Sequence, residues 1–389
     1  MNKTGWFLKS ATLLGSALAC FQGAYAGDIQ LNGFGSVYGA KSIGSDAVSS
    51  PLYNDKVDFT QFTRFGLNVG ARLADDMDAA AQFVVSGRRQ EDFYDGPSWN
   101  LYANWAFLNY HPGNLTVKLG RQLYPAWLAA EYLDVGFLQP YRTLPESVIS
   151  LMPYRGFDGL TLGYKFDLGF AKLYAAAFGG KASTTSFNYN GTNRSQSYFD
   201  ASNIVGGTFT LTGDGFRLHG MISRSSVTGY QFASTISTVG GFPIQSIIAA
   251  TNGLSVNTTS ATAGLSYDKH NIVFWGEYGM INSNDAPSTT SGQFLKSAKT
   301  GYALLGYRLG ALMPRYMISM ADYSQLGFSG LGKLTTHNIG ANYQLNEKAV
   351  LKVDFQMDQL PGDGTATFVT ATNGATSAKS ASVGVDFVF

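Results

Sequence analysis

The chain has 389 residues, 14% of them charged, and its 27 Lys plus Arg nearly balance its 26 Asp plus Glu. That low, mixed charge argues against a nucleic-acid partner. With 46 Gly, 27 Phe and 22 Tyr, the composition is poor for a helical soluble enzyme and suits a β-rich wall with aromatic girdles.

Residues Met1 to Ala26 begin with Lys3 and Lys9, run through a weakly polar stretch from Ser10 to Phe21, and close on Ala24-Tyr25-Ala26. This is the pattern of a cleaved signal peptide, so residues 1–26 are expected to be removed, leaving 27–389 as one barrel domain. A first transmembrane helix is disfavoured because spanning needs about 20 apolar residues. The single cysteine, Cys20, lies inside this segment, and Ala17 stands where a lipoprotein signal wants Leu. Cleavage leaves 25 basic against 26 acidic residues and no thiol to mispair in an oxidising compartment.

Alternating apolar and polar segments then follow in pairs. The first is Ile29 to Ala40. Phe59 to Leu73 joins Met77 to Ser86 through Ala74-Asp75-Asp76, and Leu101 to Tyr110 joins Leu115 to Gln122 through His111 to Asn114. Gly159 to Phe166 turns at Asp167 to Gly169 into Phe170 to Phe178. Ile204 to Leu211 turns at Thr212 to Gly215 into Phe216 to Arg224. Ala261 to Tyr267 and Ile272 to Met280 are linked by Asp268 to Asn271, and Gly301 to Leu309 and Leu312 to Asp322 by Gly310-Ala311. His337 to Leu345 and Ala349 to Asp358 turn at Asn346 to Lys348, and the last strand is Ser380 to Phe389. Each pair is separated from the next by a long Ser, Thr, Asn and Gly-rich stretch.

The pattern predicts an all-β, antiparallel transmembrane barrel of about sixteen strands, with short turns on one rim and long loops on the other. Its faces agree: Leu351, Val353, Phe355 and Met357 alternate with Lys352, Asp354, Gln356 and Asp358. A charge on the polar face of so many strands suits a hydrated lumen, because a packed core would bury those charges without partners. About sixteen strands leave such a lumen where eight would be filled by side chains. A sandwich or propeller is the alternative, and blade-length repeats are absent.

The run Gly301 to Arg315, the step Leu119-Gly-Arg-Gln122 and the terminal Val385-Asp-Phe-Val-Phe389 resemble the Gram-negative trimeric general porins. The resemblance implies a sixteen-stranded homotrimer in the outer membrane, in contact with its lipid and lipopolysaccharide, and passive diffusion of small hydrophilic solutes. It also implies an inward third loop and a terminal strand, with Phe387 and Phe389, read by the barrel-assembly machinery. A substrate-specific channel for a sugar, carboxylate or aromatic acid is the second reading, and a structural or adhesive barrel the third.

The third loop, about residues 123–154, is the best functional candidate. It carries Pro125, Pro140, Pro145 and Pro153, the bulky Trp127, Leu128, Tyr132, Leu133, Phe137 and Leu138, and the charges Glu131, Asp134, Arg142 and Glu146. Stiffening prolines and so much apolar surface suit packing inside the barrel; an outward loop capping the trimer or binding a neighbour is the alternative. Facing it from the wall are Arg64, Lys118, Arg121 and Arg155, so cations opposite carboxylates would set a transverse field. For any one arginine a salt bridge tying loop to wall competes with direct solute contact. Arg121 breaks phase, so the strand either bulges after Gly120 or has ended there. Along the first strand Leu31, Gly33, Gly35, Val37 and Gly39 form a lipid-side stripe with missing side chains, expected to admit a neighbouring barrel. Four scattered histidines and no metal-ligand spacing point away from an enzyme, a metal site or a cofactor.

Overall fold

The computed structural model describes residues 29–44, 56–87, 99–149, 151–152, 154–190, 193–239, 242–283, 297–322, 333–360, 365–366, 369–370 and 376–389; for 146–147, 184–190, 193–199, 229–239, 242–254, 365–366 and 369–370 it describes the backbone alone. The expected signal peptide, Cys20 and Pro153 lie outside the described residues.

Sixteen antiparallel strands close into a barrel. They are β1 (Ile29–Ser42), β2 (Arg64–Ala74), β3 (Met77–Ser86), β4 (Asn100–Tyr110), β5 (Leu115–Leu123), β6 (Gly156–Asp167), β7 (Ala171–Asn190) and β8 (Asn193–Gly213). There follow β9 (Phe216–Val239), β10 (Phe242–Lys269), β11 (Ile272–Ser283), β12 (Ser297–Tyr307), β13 (Leu312–Asp322), β14 (Lys333–Asn346), β15 (Ala349–Gln359) and, after a small hairpin of β16 (Thr365–Ala366) and β17 (Val369–Thr370), β18 (Ser377–Val388). Each strand pairs with its sequence neighbour, and β18 pairs with β1 to seal the wall.

Period-two alternation decides which side faces where. On the outside, Leu119, Leu162, Ile222, Leu305, Ile339 and Val383 are exposed. Tyr110, Phe166, Tyr307 and Tyr343 stand near the short-turn ends of their strands as an exposed aromatic rim. The inside carries Ser36, Asn104, Thr161, His219, Lys352 and Asp354, all buried. At the β10–β11 turn, His270 and Asn271 both have positive φ, 54° and 65°, the backbone that a two-residue hairpin with right-twisted strands requires.

The seam between β1 and β18 revises the expectation for the glycine stripe. Phe389 exchanges both backbone hydrogen bonds with Gly33, each 2.9 Å long, and its ring occupies the space a side chain at residue 33 would need. Phe387 does the same over Gly35, and Phe59 and Val57 crowd Gly39. The gaps left by Gly33, Gly35 and Gly39 are therefore filled from within the chain, not kept open for a second barrel. Leu31 and Val37 remain exposed on that face.

Candidate functional site

Between β5 and β6 the chain turns inward and contacts opposite walls of the barrel. The outgoing arm starts against β9, where the Tyr124 hydroxyl meets Ser223 Oγ and the His219 ring donates to the Pro125 carbonyl at 3.0 Å. Leu128 N–H then donates to Glu277 on β11 at 2.6 Å, and Tyr302 on β12 donates to the same carboxylate at 2.6 Å. Two single-turn 3-10 helices, Ala130–Tyr132 and Gly136–Leu138, lie on the crossing segment. It reaches β1 and β18, which stand opposite β9 in the sixteen-strand order.

There Lys352 of β15 holds the loop by its backbone. Its ammonium donates to the carbonyls of Gly136, Gln139 and Tyr141 at 2.7, 2.8 and 2.8 Å, and pairs with Asp386 at 2.8 Å. Both charged side chains are fully buried. Three carbonyls and one carboxylate satisfy the ammonium without water, as burial of that charge demands. Asp386 also accepts from Tyr38 at 2.7 Å, and Arg315 pairs with Asp354 at 2.7 Å beside it. Asn342 donates to the Pro140 carbonyl at 2.9 Å.

The return arm is apolar. Tyr141 meets Trp275 and Tyr302 edge-on, with ring centroids 5.8 and 5.9 Å away. A one-turn helix, α1 (Glu146–Ile149), packs on β12 and β13. Trp127, Leu128, Leu144, Val148 and Leu151 share one buried cluster with Trp275, Leu304 and Met317 of the wall. The apolar surface that is out of place on a hydrated loop is thus covered by an unusually apolar inner wall on β11 to β13.

The predicted charges do not form a single cluster. Asp134, 2% exposed, is held by Arg64 at 3.3 Å, Arg155 at 3.1 Å and the Asn104 amide at 2.8 Å. Burial works against its ionised form, but Arg155 and Arg64 outweigh burial and keep the carboxyl below the usual carboxylate range. Arg142 is buried too, donating to Ser382 at 2.7 Å with its guanidinium 3.7 Å above the Phe62 ring. Glu131 and Lys118 form the open pair, 3.7 Å apart, with side chains 70% and 27% exposed. Glu146 begins α1, and its side chain lies outside the described residues.

Arg121 is not in the lumen. β5 continues through it with alternation intact, Gly120 taking a φ of +133°, so Arg121 shares the outer face with Leu115 and Leu119. It forms a two-pronged bond to Asp158 at 2.9 and 3.0 Å on the outside of the barrel. A carboxylate beside it supplies what the lone arginine lacked in the sequence reading. The sequence reading missed Lys352, Asp386 and Glu277 as loop anchors; their only signal was a charge in lumen-facing phase on β11, β15 and β18.

No protein-family model and no curated protein matches the sequence. Among solved structures the chain is similar to the outer membrane channel DcaP of Acinetobacter baumannii, with 13% identity, 94% of this chain and 98% of that one covered, and a TM-score of 0.55. It is similar also to OmpF of Salmonella typhi, solved in complex with daunomycin, with 14% identity, 93% and 98% coverage and a TM-score of 0.54. A third is an anion-selective porin from Comamonas acidovorans, with 12% identity, 93% and 99% coverage and a TM-score of 0.52. The chain has the sixteen-stranded β-barrel fold of Gram-negative outer-membrane porins.

Proposed function

We propose that the chain is an outer-membrane channel through which small hydrophilic solutes and ions diffuse passively, narrowed by its third loop. The observation that carries this reading is the loop itself, fixed to β9 at one wall through Tyr124 and to β15 and β18 at the other through Lys352 and Arg142 by buried hydrogen bonds. A loop so placed narrows the lumen at a height set by rigid strands, which is the requirement for size selection. Removal of residues 1–26, insertion in the outer membrane, recognition of the terminal Phe strand and assembly as a homotrimer belong to the same proposal. An exposed apolar exterior with an aromatic rim supports membrane insertion.

Purified protein inserted in planar bilayers tests it. Discrete current steps proportional to salt concentration are expected. A folded, inserted barrel that carries no current would instead favour a structural role. The aromatic and cationic side chains beside Glu131 favour a second, narrower reading, in which one class of solute is preferred.

A further inference from the structure

On the short-turn side of the crossing segment, cations and aromatic rings are interleaved, and the cations outnumber their carboxylates. Lys118 lies 5.1 Å from the centre of the Phe107 ring and reaches Glu131. The neighbouring loop residue, Tyr132, takes a hydrogen bond from Arg217 at 3.3 Å, with the guanidinium 6.0 Å from the ring centre. Arg217 Nε has no hydrogen-bond partner, and among the described residues Arg217 makes no carboxylate pair. Glu131 and Tyr132 are adjacent in the chain, so the two cation–ring pairs flank one short stretch of loop.

Two more lysines face the same vestibule. Lys165 of β6 is paired in register with Tyr174 of β7, Tyr174 with Thr210 of β8, and Thr210 bonds the His219 ring that itself holds the loop. That row is therefore the inner face, and alternation puts Lys172 on it as well. Neither lysine is in an ion pair among the described residues. The carboxylates nearby are Glu131, Glu277, which faces Arg217 and Tyr132 from β11, and the turn residue Asp167, whose Oδ1 accepts from Gly169 N–H at 2.9 Å. Four cations, Lys118, Lys165, Lys172 and Arg217, against these three carboxylates leave this side of the loop positive, and in a partly enclosed lumen such a surplus concentrates anions.

We infer that this surface binds small aromatic carboxylates, with the carboxylate on the open edge of Arg217 and the ring against Tyr132. The inference rests on the channel reading and names the solute class that such a channel would prefer. A carboxylate without a ring would meet the cations but forgo the aromatic faces. A neutral ring would forgo the charge. The combination selects solutes that carry both.

The test is a calorimetric titration of the folded, detergent-solubilised protein with sodium benzoate, cyclohexanecarboxylate and acetate. Benzoate should bind saturably and about tenfold more tightly than acetate, with cyclohexanecarboxylate between them. Arg217→Gln should weaken benzoate about fivefold and the more distant Lys118→Gln only about twofold or less, Arg217→Lys should restore part of the loss, and Tyr132→Leu should erase the advantage over cyclohexanecarboxylate. Unchanged heat-modifiable mobility on gels certifies each variant as folded, and the Arg217→Lys and Tyr132→Leu proteins suffice if a Gln variant fails that check. Equal binding of benzoate and acetate, or benzoate binding indifferent to all these substitutions, overturns the inference. Bilayer currents are scored separately. A protein that conducts without binding any of the acids contradicts this site alone, and one that binds benzoate without conducting contradicts the channel reading alone.

Discussion

Gly33 and Phe389 are joined by two reciprocal backbone hydrogen bonds of 2.9 Å, and the aromatic ring covers the glycine where a side chain would otherwise stand. With Phe387 over Gly35, this makes closure of the barrel depend on an aromatic at one end of the chain fitting an absent side chain at the other. Replacing Gly33 or Gly35 with Phe should cost about 1–3 kcal/mol by overpacking the seam, more than Gly39→Ala, and deleting Phe389 should sharply lower the yield of heat-modifiable barrel. Thermal midpoints on gels give the comparison. Unchanged midpoints in both Phe variants would show that the seam does not need the glycines.

The buried Lys352 to Asp386 pair yields a second expectation. Lys352→Met leaves Asp386 uncompensated by its 2.8 Å partner and three loop carbonyls without their donor, so about 3–5 kcal/mol should be lost. Pairing it with Asp386→Asn should recover part of that loss, because the orphaned charge disappears. Denaturation of the single and double variants measures the coupling. Strict additivity would mean that the two side chains do not act as one anchor.

Among the loop carboxylates the effects on permeation should be unequal. Neutralising Glu131, Asp134 and Glu146 together leaves wall cations unopposed and should move the reversal potential toward anions, less so at 1 M salt, where the Debye length is about 3 Å. Glu131→Gln alone should give most of that shift, since its side chain is 70% exposed while that of Asp134 is 2% exposed and shared by two arginines. The pH dependence has a definite sign. A carboxyl held below its unfolded value stabilises the fold above that value and loses the contribution as pH falls through the lowered one. The Asp134 anchor should therefore persist on acidification to about pH 4, the unfolded carboxyl's range, and weaken only below it. Loss of the loop-anchored conductance level well above pH 4 would contradict this assignment.

Arg121 should behave as a surface residue. Arg121→Gln should leave ion selectivity untouched and cost at most about 1 kcal/mol, the usual worth of an exposed pair, here with side chains 47% and 43% exposed. A changed reversal potential would return Arg121 to the lumen.

Much of the wall is legible in the sequence because lipid on one side and water on the other impose strict alternation. Met77–Ser86 and Leu312–Asp322 coincide with β3 and β13, and most other strands differ by a few residues at their ends. The alternation fails for β7 to β10, which run 20, 21, 24 and 28 residues. Their extensions include stretches such as Ser183 to Ser186 and Asn257 to Ser260, made only of Ser, Thr and Asn, and without an apolar face these read as loops. The inward loop is foreshadowed by Trp127, Leu128 and its prolines, which have no reason to sit in water. Its anchors are not. Lys352 and Asp386 lie 34 positions apart in sequence and meet only because β15 and β18 pair with Val350 opposite Asp386. The outward setting of Arg121 likewise depends on Asp158 arriving from the next strand.

The channel proposed above requires the crossing loop to lie in the permeation path. The only cysteine is Cys20, so in the chain shortened by the proposed removal of residues 1–26 Glu131→Cys supplies a single thiol. A charged methanethiosulfonate reagent added to such a channel in a planar bilayer should lower the single-channel current in one step, while the same reagent on an Arg121→Cys channel should leave it unchanged. An Glu131→Cys protein that is labelled in full but whose current does not move would contradict the account.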